Sequence, residues 1–145
     1  MEVPQKFDDL LADSLAYTIK RAQVRCDEAL SRYLEDGMSP ARFAALCAIG
    51  ANPGISQATL SGLLNIAGPS VVKVVDDLEK MELVKRMPST DRRVYALQLT
   101  ERGSADMKRY QASNRTFEKS IAADLTAKER ELLLLLLSKV APGEA

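Results

Sequence analysis

The sequence predicts a mainly α fold: a winged helix-turn-helix domain with long N- and C-terminal dimerisation helices and a two-stranded β wing. Three observations lead there. Short helix signatures separated by tight turns fill the span from Ser39 to Met81. A basic, turn-containing, strand-like stretch follows at once, VKRMPSTDRRVYALQLT. Everything before and after that block reads as long helix.

Composition narrows the classes of function. A chain of 145 residues is about one domain by length. Hydrophobic content of 46% with 28% charged residues is the balance of an ordinary folded protein. The 20 Lys and Arg residues match the 20 Asp and Glu residues, so the net charge is zero. That excludes a uniformly basic nucleic-acid binder, and any DNA contact has to come from a local patch. Lys85–Arg86 and Arg92–Arg93 supply one. There is no histidine, the commonest general base and metal ligand. Cys26 and Cys47 alone do not make a structural zinc site or a disulfide framework. Without a nucleophile motif or a Gly-rich phosphate loop, no catalytic residue, metal or cofactor is expected. The acidic N-terminus MEVPQKFDDLLADS lacks a charged-then-apolar leader, and no apolar run approaches the roughly 20 residues of a bilayer span. A cytoplasmic protein is expected.

Phe7 to about Leu34 reads as one long helix, with no Gly or Pro. Leu11, Leu15, Ala22, Cys26, Ala29 and Tyr33 form one apolar row, and Leu10, Tyr17 and Val24 a second. Two rows suit burial against more than one neighbour, as in an interlocked dimer; a single broad core face is the plainer alternative. Asp36-Gly37 ends this helix, and Ser39-Pro40 starts the next with an N-cap and a pre-set first position. Phe43, Leu46, Cys47 and Ile49 give that second helix its inward face. Asn52-Pro53-Gly54 is a turn, and Ser56 caps a third helix with Leu60, Leu63 and Leu64 inward. After Asn65-Ile66-Ala67-Gly68, Pro69 opens the fourth helix. Its core positions are Val71, Val74, Val75 and Leu78.

Pro69, Ser70, Val72, Lys73 and Asp76 are thereby left on or near the outer face. The N-terminal residues of a recognition helix reach base edges in the major groove. There Ser70 suits a base or phosphate, Val72 a thymine methyl, and Lys73 a guanine or phosphate. Leu83-Val84 and Val94 to Leu99 then read as strands around a turn at Pro88-Ser89-Thr90-Asp91. Arg92 and Arg93 at the ribbon tip suit a minor groove, with Asp91 fixing the rotamer of Arg93. Arg86 at the base of the ribbon completes the expected DNA-binding set of Pro69, Ser70, Val72, Lys73, Arg86, Asp91, Arg92 and Arg93. A solvated helix face beside a charged hairpin is the competing reading. Thr100 caps a fifth helix running to about Leu125, and Thr126-Ala-Lys-Glu129 is a capping box for a sixth. That last helix carries six consecutive leucines, Leu132 to Leu137. They cover every side of it, so a partner chain or an intramolecular core has to surround it.

The wing stretch resembles the multiple antibiotic resistance regulators, the MarR family. Asp91, Arg93, Leu97, Leu99, Thr100 and Gly103 form the pattern D-x-R-x-x-x-L-x-L-T-x-x-G, and PSVVKVVDDLEKMELVKR before it looks like the family's recognition helix running into its wing. The resemblance covers nearly the whole chain. It implies one MarR-like domain over 1–145, with dimerisation helices at 7–34 and 104–141 and a DNA-binding lobe at 39–103. It also implies a homodimer on a pseudo-palindromic double-stranded operator. Three positions depart from the family pattern. Glu82 stands where the helix end is usually Gly, so an exit without the left-handed cap is expected. Asp77 and Lys73 stand where Arg is frequent, and Lys lacks the planar fork of Arg.

The resemblance further implies release from DNA by a small anionic aromatic compound bound between the dimer helices and the lobe. Candidate effector residues are Tyr17, Arg21, Arg25, Phe43, Cys47, Met107 and Tyr110. Lys20, Arg21, Arg25 and Arg32 make the first helix densely basic, suited to a carboxylate or to the phosphates of a CoA thioester. The alternative is local pairing with Asp27, Glu28 and Glu35. The expected function is a ligand-responsive homodimeric repressor with no membrane partner. Thiol-based redox sensing and a winged-helix interaction module that does not bind DNA are the alternatives.

Overall fold

The computed structural model describes residues 9–141. Its elements are α1 (Asp9–Ala12), α2 (Leu15–Tyr33), α3 (Pro40–Ala51), α4 (Gln57–Leu64), α5 (Gly68–Lys80), β1 (Val84–Pro88), β2 (Tyr95–Leu99), α6 (Glu101–Ile121) and α7 (Ala127–Ser138). The expected mainly α winged helix-turn-helix is the observed fold.

The expected first helix is broken. Ser14 is an N-cap at ψ 119°, and its hydroxyl accepts the N–H of Tyr17, so α2 starts afresh at Leu15. A capping serine offers the backbone an alternative to helix that neither Gly nor Pro signals. The expected start at Phe7 lies outside the described residues. The C-terminal half of α2 packs on the core through Leu30 and Leu34, with Cys26, Ala29 and Tyr33 beside them. Tyr33 meets Phe117 of α6 edge-on, ring centres 6.1 Å apart. Leu15 and Val24 in the N-terminal half of α2 are exposed, as is Leu10 of α1.

Ser39, Ser56, Thr100 and Thr126 each cap the helix that follows through a side-chain oxygen. Around α3 the core gathers Leu46, Ile49, Leu60, Val71, Val75, Leu78, Leu83 and Leu97. Leu63 corrects the expected inward face of α4, for it is 59% exposed. Leu60 is buried and Leu64 packs partly against the core, so in this two-turn helix Leu63 alone of the three turns outward. Pro69 falls one residue later than expected, because α5 begins at Gly68.

The ribbon is antiparallel, with Val84 opposite Leu99 and Pro88 opposite Tyr95. Pro88 therefore closes β1, and the turn runs from Ser89 to Val94. Ile55 adds a bridge to Leu97, whose N–H donates to the Ile55 carbonyl at 2.9 Å. That third pairing anchors a ribbon that would be marginal alone. The fifth helix of the sequence reading, α6, ends at Ile121 instead of reaching Leu125.

Glu82 overturns the expected exit from α5. It adopts φ 62°, the left-handed conformation, without being Gly. Leu83 N–H donates to the Leu78 carbonyl at 3.0 Å and Glu82 N–H to that of Glu79 at 2.9 Å. This is a Schellman cap, closed by the buried Leu78 and Leu83. The paired carbonyls and that contact outweigh the strain of a Cβ at positive φ.

Candidate nucleic-acid interface

The helix-turn-helix is α4 and α5. Asn65 turns the chain at φ 52°, and the Ser61 hydroxyl donates to the Ile66 carbonyl at 2.5 Å. Ala67, the N-cap of α5, offers no side-chain acceptor. The backbone N–H groups of the first turn of α5 thus carry no side-chain cap, an arrangement that suits phosphate oxygens. Val71, Val75 and Leu78 are buried beneath, which leaves Pro69, Ser70, Val72 and Lys73 exposed. Each therefore stands on the face the sequence reading gave it.

The flanks of α5 are charged. Asp77 accepts from Arg42 Nη2 at 2.9 Å and lies 3.6 Å from Lys73 Nζ. Arg42 also donates to the Gly37 carbonyl, tying α5 to the joint between α2 and α3. The Arg42 hydrogen bond, with the charge of Lys73, holds the Asp77 carboxyl below its ordinary range. Sequence reasoning placed Asp77 only as a lost phosphate contact; its partner lies 35 residues away and nothing local signals it.

At the wing tip, the Ser89 hydroxyl lies 2.8 Å from the Asp91 carbonyl and 2.6 Å from that of Val94. Asp91 Oδ1 accepts the Arg93 N–H at 3.0 Å and Nε at 3.3 Å. The aspartate thus shapes the turn and steadies the arginine, whose side chain is 89% exposed. Arg92 is exposed beside it. Arg86 departs from the expected set. It lies under the ribbon with a side chain 17% exposed, donating to Asp76, Glu79 and Gln57, and does not face outward with the tip.

The seven expected effector residues do not meet in one cleft. Tyr17, Arg21 and Arg25 line an open hollow of about 380 Å³ with Lys20, Val24 and Glu28. Cys47 and Met107 line another of about 380 Å³, between α3, β2 and α6, with Lys108 on its rim. Phe43 and Tyr110 are core residues, the latter 2% exposed. Their aromatic character is satisfied by packing, which a period count along one helix does not distinguish from a cleft wall. Burial pushes the Cys47 thiol up, away from the thiolate a redox sensor needs. Of the acids offered as local partners for α2, Glu35 instead approaches Arg109 of α6 at 3.9 Å. Among the described residues no cluster of metal-ligating side chains occurs, and no single helix is long and apolar enough to cross a membrane.

A helix with an exposed polar face, set on a three-helix core and flanked by a basic ribbon, defines a winged-helix DNA-binding regulator. Residues 38–95 match the model of the MarR family. The chain is 31% identical, over 133 residues, to a protein described as the transcriptional regulator for the hcr operon in Thauera aromatica, spanning 90% of this chain and 80% of that one. The transcriptional repressor CouR, bound to a 23-mer DNA duplex, is 31% identical with a TM-score of 0.82, over 94% of this chain and 99% of that one. A mutant MarR from E. coli complexed with operator DNA is 26% identical with a TM-score of 0.86, over 94% of this chain and all of that one, 100%. The chain belongs to the MarR family and is a transcriptional regulator of that type.

Proposed function

We propose that the protein is a homodimeric repressor, released from a pseudo-palindromic operator by a small anionic aromatic compound or its CoA thioester. One observation carries the dimer. All six leucines from Leu132 to Leu137 are 42–55% exposed, and α7 is tied to the rest of the described chain chiefly by the Arg130–Glu118 ion pair at 3.3 Å. Such a helix finds burial only on a second copy. Leu11 of α1 and Leu15 of α2, also exposed, extend the same need. Residues 7–34 and 104–141 then form the dimer and 39–103 reads DNA.

In this reading Pro69, Ser70, Val72 and Lys73 enter the major groove, while Asp91 holds Arg92 and Arg93 to the adjacent minor groove or its phosphates. The effector enters the hollow of Tyr17, Lys20, Arg21, Val24 and Arg25, where an aromatic wall stands beside three cations and one acid, Glu28. Release requires that it bind more tightly to a dimer shape whose recognition helices miss the half-site spacing.

Fluorescence anisotropy on the DNA upstream of the protein's own gene tests the proposal. Aromatic acids, their CoA thioesters and a hydroperoxide are titrated in turn. Tight, salt-sensitive binding released by an acid or thioester is the expected result. Release by the hydroperoxide alone would favour thiol sensing, and no specific binding at low salt would favour an interaction module. Arg93→Ala is expected to weaken operator binding by about 10- to 100-fold.

A further inference from the structure

Arg86 projects from the inner face of β1, opposite Leu97. Its Nη2 donates to Asp76 Oδ1 at 2.7 Å, and Nη1 to Glu79 Oε1 at 3.1 Å. Nε and Nη2 both donate to Gln57 Oε1, at 3.2 and 2.9 Å. Gln57 opens α4, and Asp76 and Glu79 lie on the flank of α5 nearest the ribbon. One guanidinium therefore binds the wing to both helices of the helix-turn-helix. Among the described residues these are the only side-chain hydrogen bonds from the ribbon to α5.

The geometry gives this contact leverage. Among the described residues, Asp91 and Arg93 form hydrogen bonds only within their own turn, and Arg92 is exposed beside them. The direction in which the tip points is consequently set at the base of the ribbon, where Arg86 sits. A planar fork satisfies three acceptors at fixed angles, and a lysine ammonium does not reproduce it.

We infer that Arg86 is a positioning residue that locks the wing to the recognition helix, so that the two engage DNA as one unit. The inference rests on the DNA-reading function above.

A double-mutant cycle in operator affinity tests it, using a duplex enriched by the protein itself from a random-sequence library. Failure of the wild-type protein to enrich any duplex would remove the DNA-reading function. Once wild-type binding is in hand, the cycle addresses Arg86 alone. Arg93→Ala is expected to cost about 10- to 100-fold in the wild type but no more than about twofold in Arg86→Met, where the wing is already unplaced. Lys73→Ala should cost the same factor in both backgrounds, because α5 keeps its core. Equal Arg93→Ala losses in both backgrounds would overturn the inference.

Should Arg86→Met not fold, Asp76→Ala combined with Glu79→Ala removes both acceptors on α5 while keeping every cation. Positioning predicts the same muted Arg93→Ala loss and a lower ratio of specific to nonspecific binding. An undiminished Arg93→Ala loss with tighter binding would show that Arg86 and its acids act through surface charge alone, and the inference falls.

Discussion

Glu82 shows how one residue bears a local cost for a global joint. Its backbone is left-handed, its carbonyl accepts the Thr100 hydroxyl at 2.6 Å, and its carboxylate meets Arg102 at 3.0 Å on the surface. The first two interactions survive in glycine, and the third is an exposed ion pair of small worth. Glu82→Gly is therefore expected to stabilise the fold by about 1 kcal/mol, raising Tm by roughly 3 °C at matched protein concentration. A lower Tm in a thermal melt would mean that the exposed ion pair or the freer unfolded chain outweighs the relieved strain. Asp77 makes a pH-dependent contribution. Its folded pKa lies below the ordinary 3.8, so the stabilisation is complete above that value and is lost as the pH falls through the depressed folded one. Replacing it by Asn is expected to flatten the acid limb of a chemical-denaturation series below about pH 4 and to leave its shape near neutrality unchanged.

Between elements, the joint of α5, the ribbon and α6 is held by backbone proximity. Thr100 N–H donates to the Leu83 carbonyl at 3.0 Å, and the Thr100 hydroxyl accepts Gly103 N–H at 2.9 Å. A Cβ at Gly103 would overlap the Leu83 carbonyl. That contact is the physical content of the Thr-x-x-Gly part of the motif. Gly103→Ala has no flexible neighbour to displace and is expected to cost about 2–4 kcal/mol in urea unfolding. A loss below about 1 kcal/mol would show that α6 shifts away freely. The ribbon illustrates the same scale. Strand-like residues on either side of a turn pointed to the ribbon, but not to the bridge from Ile55, which follows the Asn52–Gly54 turn with no strand pattern around it.

At the scale of the whole molecule the proposed dimer is open to a direct test. Six adjacent half-exposed leucines on α7 and the exposed Leu15 at the start of α2 form the apolar surface on which that proposal rests. Leu132→Asp with Leu135→Asp places two charges in that surface. In analytical ultracentrifugation a dimer is expected for the wild type and a monomer for the variant, with operator affinity reduced at least about tenfold because each half-site is then bound alone. A variant that remains dimeric would move the interface away from α7.

What could be read in the chain and what could not divide by range. Helix starts at Ser39, Ser56, Thr100 and Thr126 were legible, because a cap is a local contract between a side chain and an N–H three residues on. So were most of the buried faces of α3 and α5, the second wing strand and the Asp91–Arg93 contact, each of which declares itself within a few positions, whereas Pro88 reads as turn and is the end of β1. The outer face of α5 was legible by subtraction from its core. Folding decided the rest. Arg86 is one cation among 20 in the sequence, and only the approach of α4 and α5 turns it from a surface charge into a clamp. Tyr110 has the residue type of a ligand cleft, and only packing makes it core. Glu82 carries no left-handed preference of its own, and only the Leu78–Leu83 closure holds it there. Sequence alone determines what is written in hydrogen bonds and periodicities of a few residues; contacts between residues tens of positions apart depend on the three-dimensional path that brings them together.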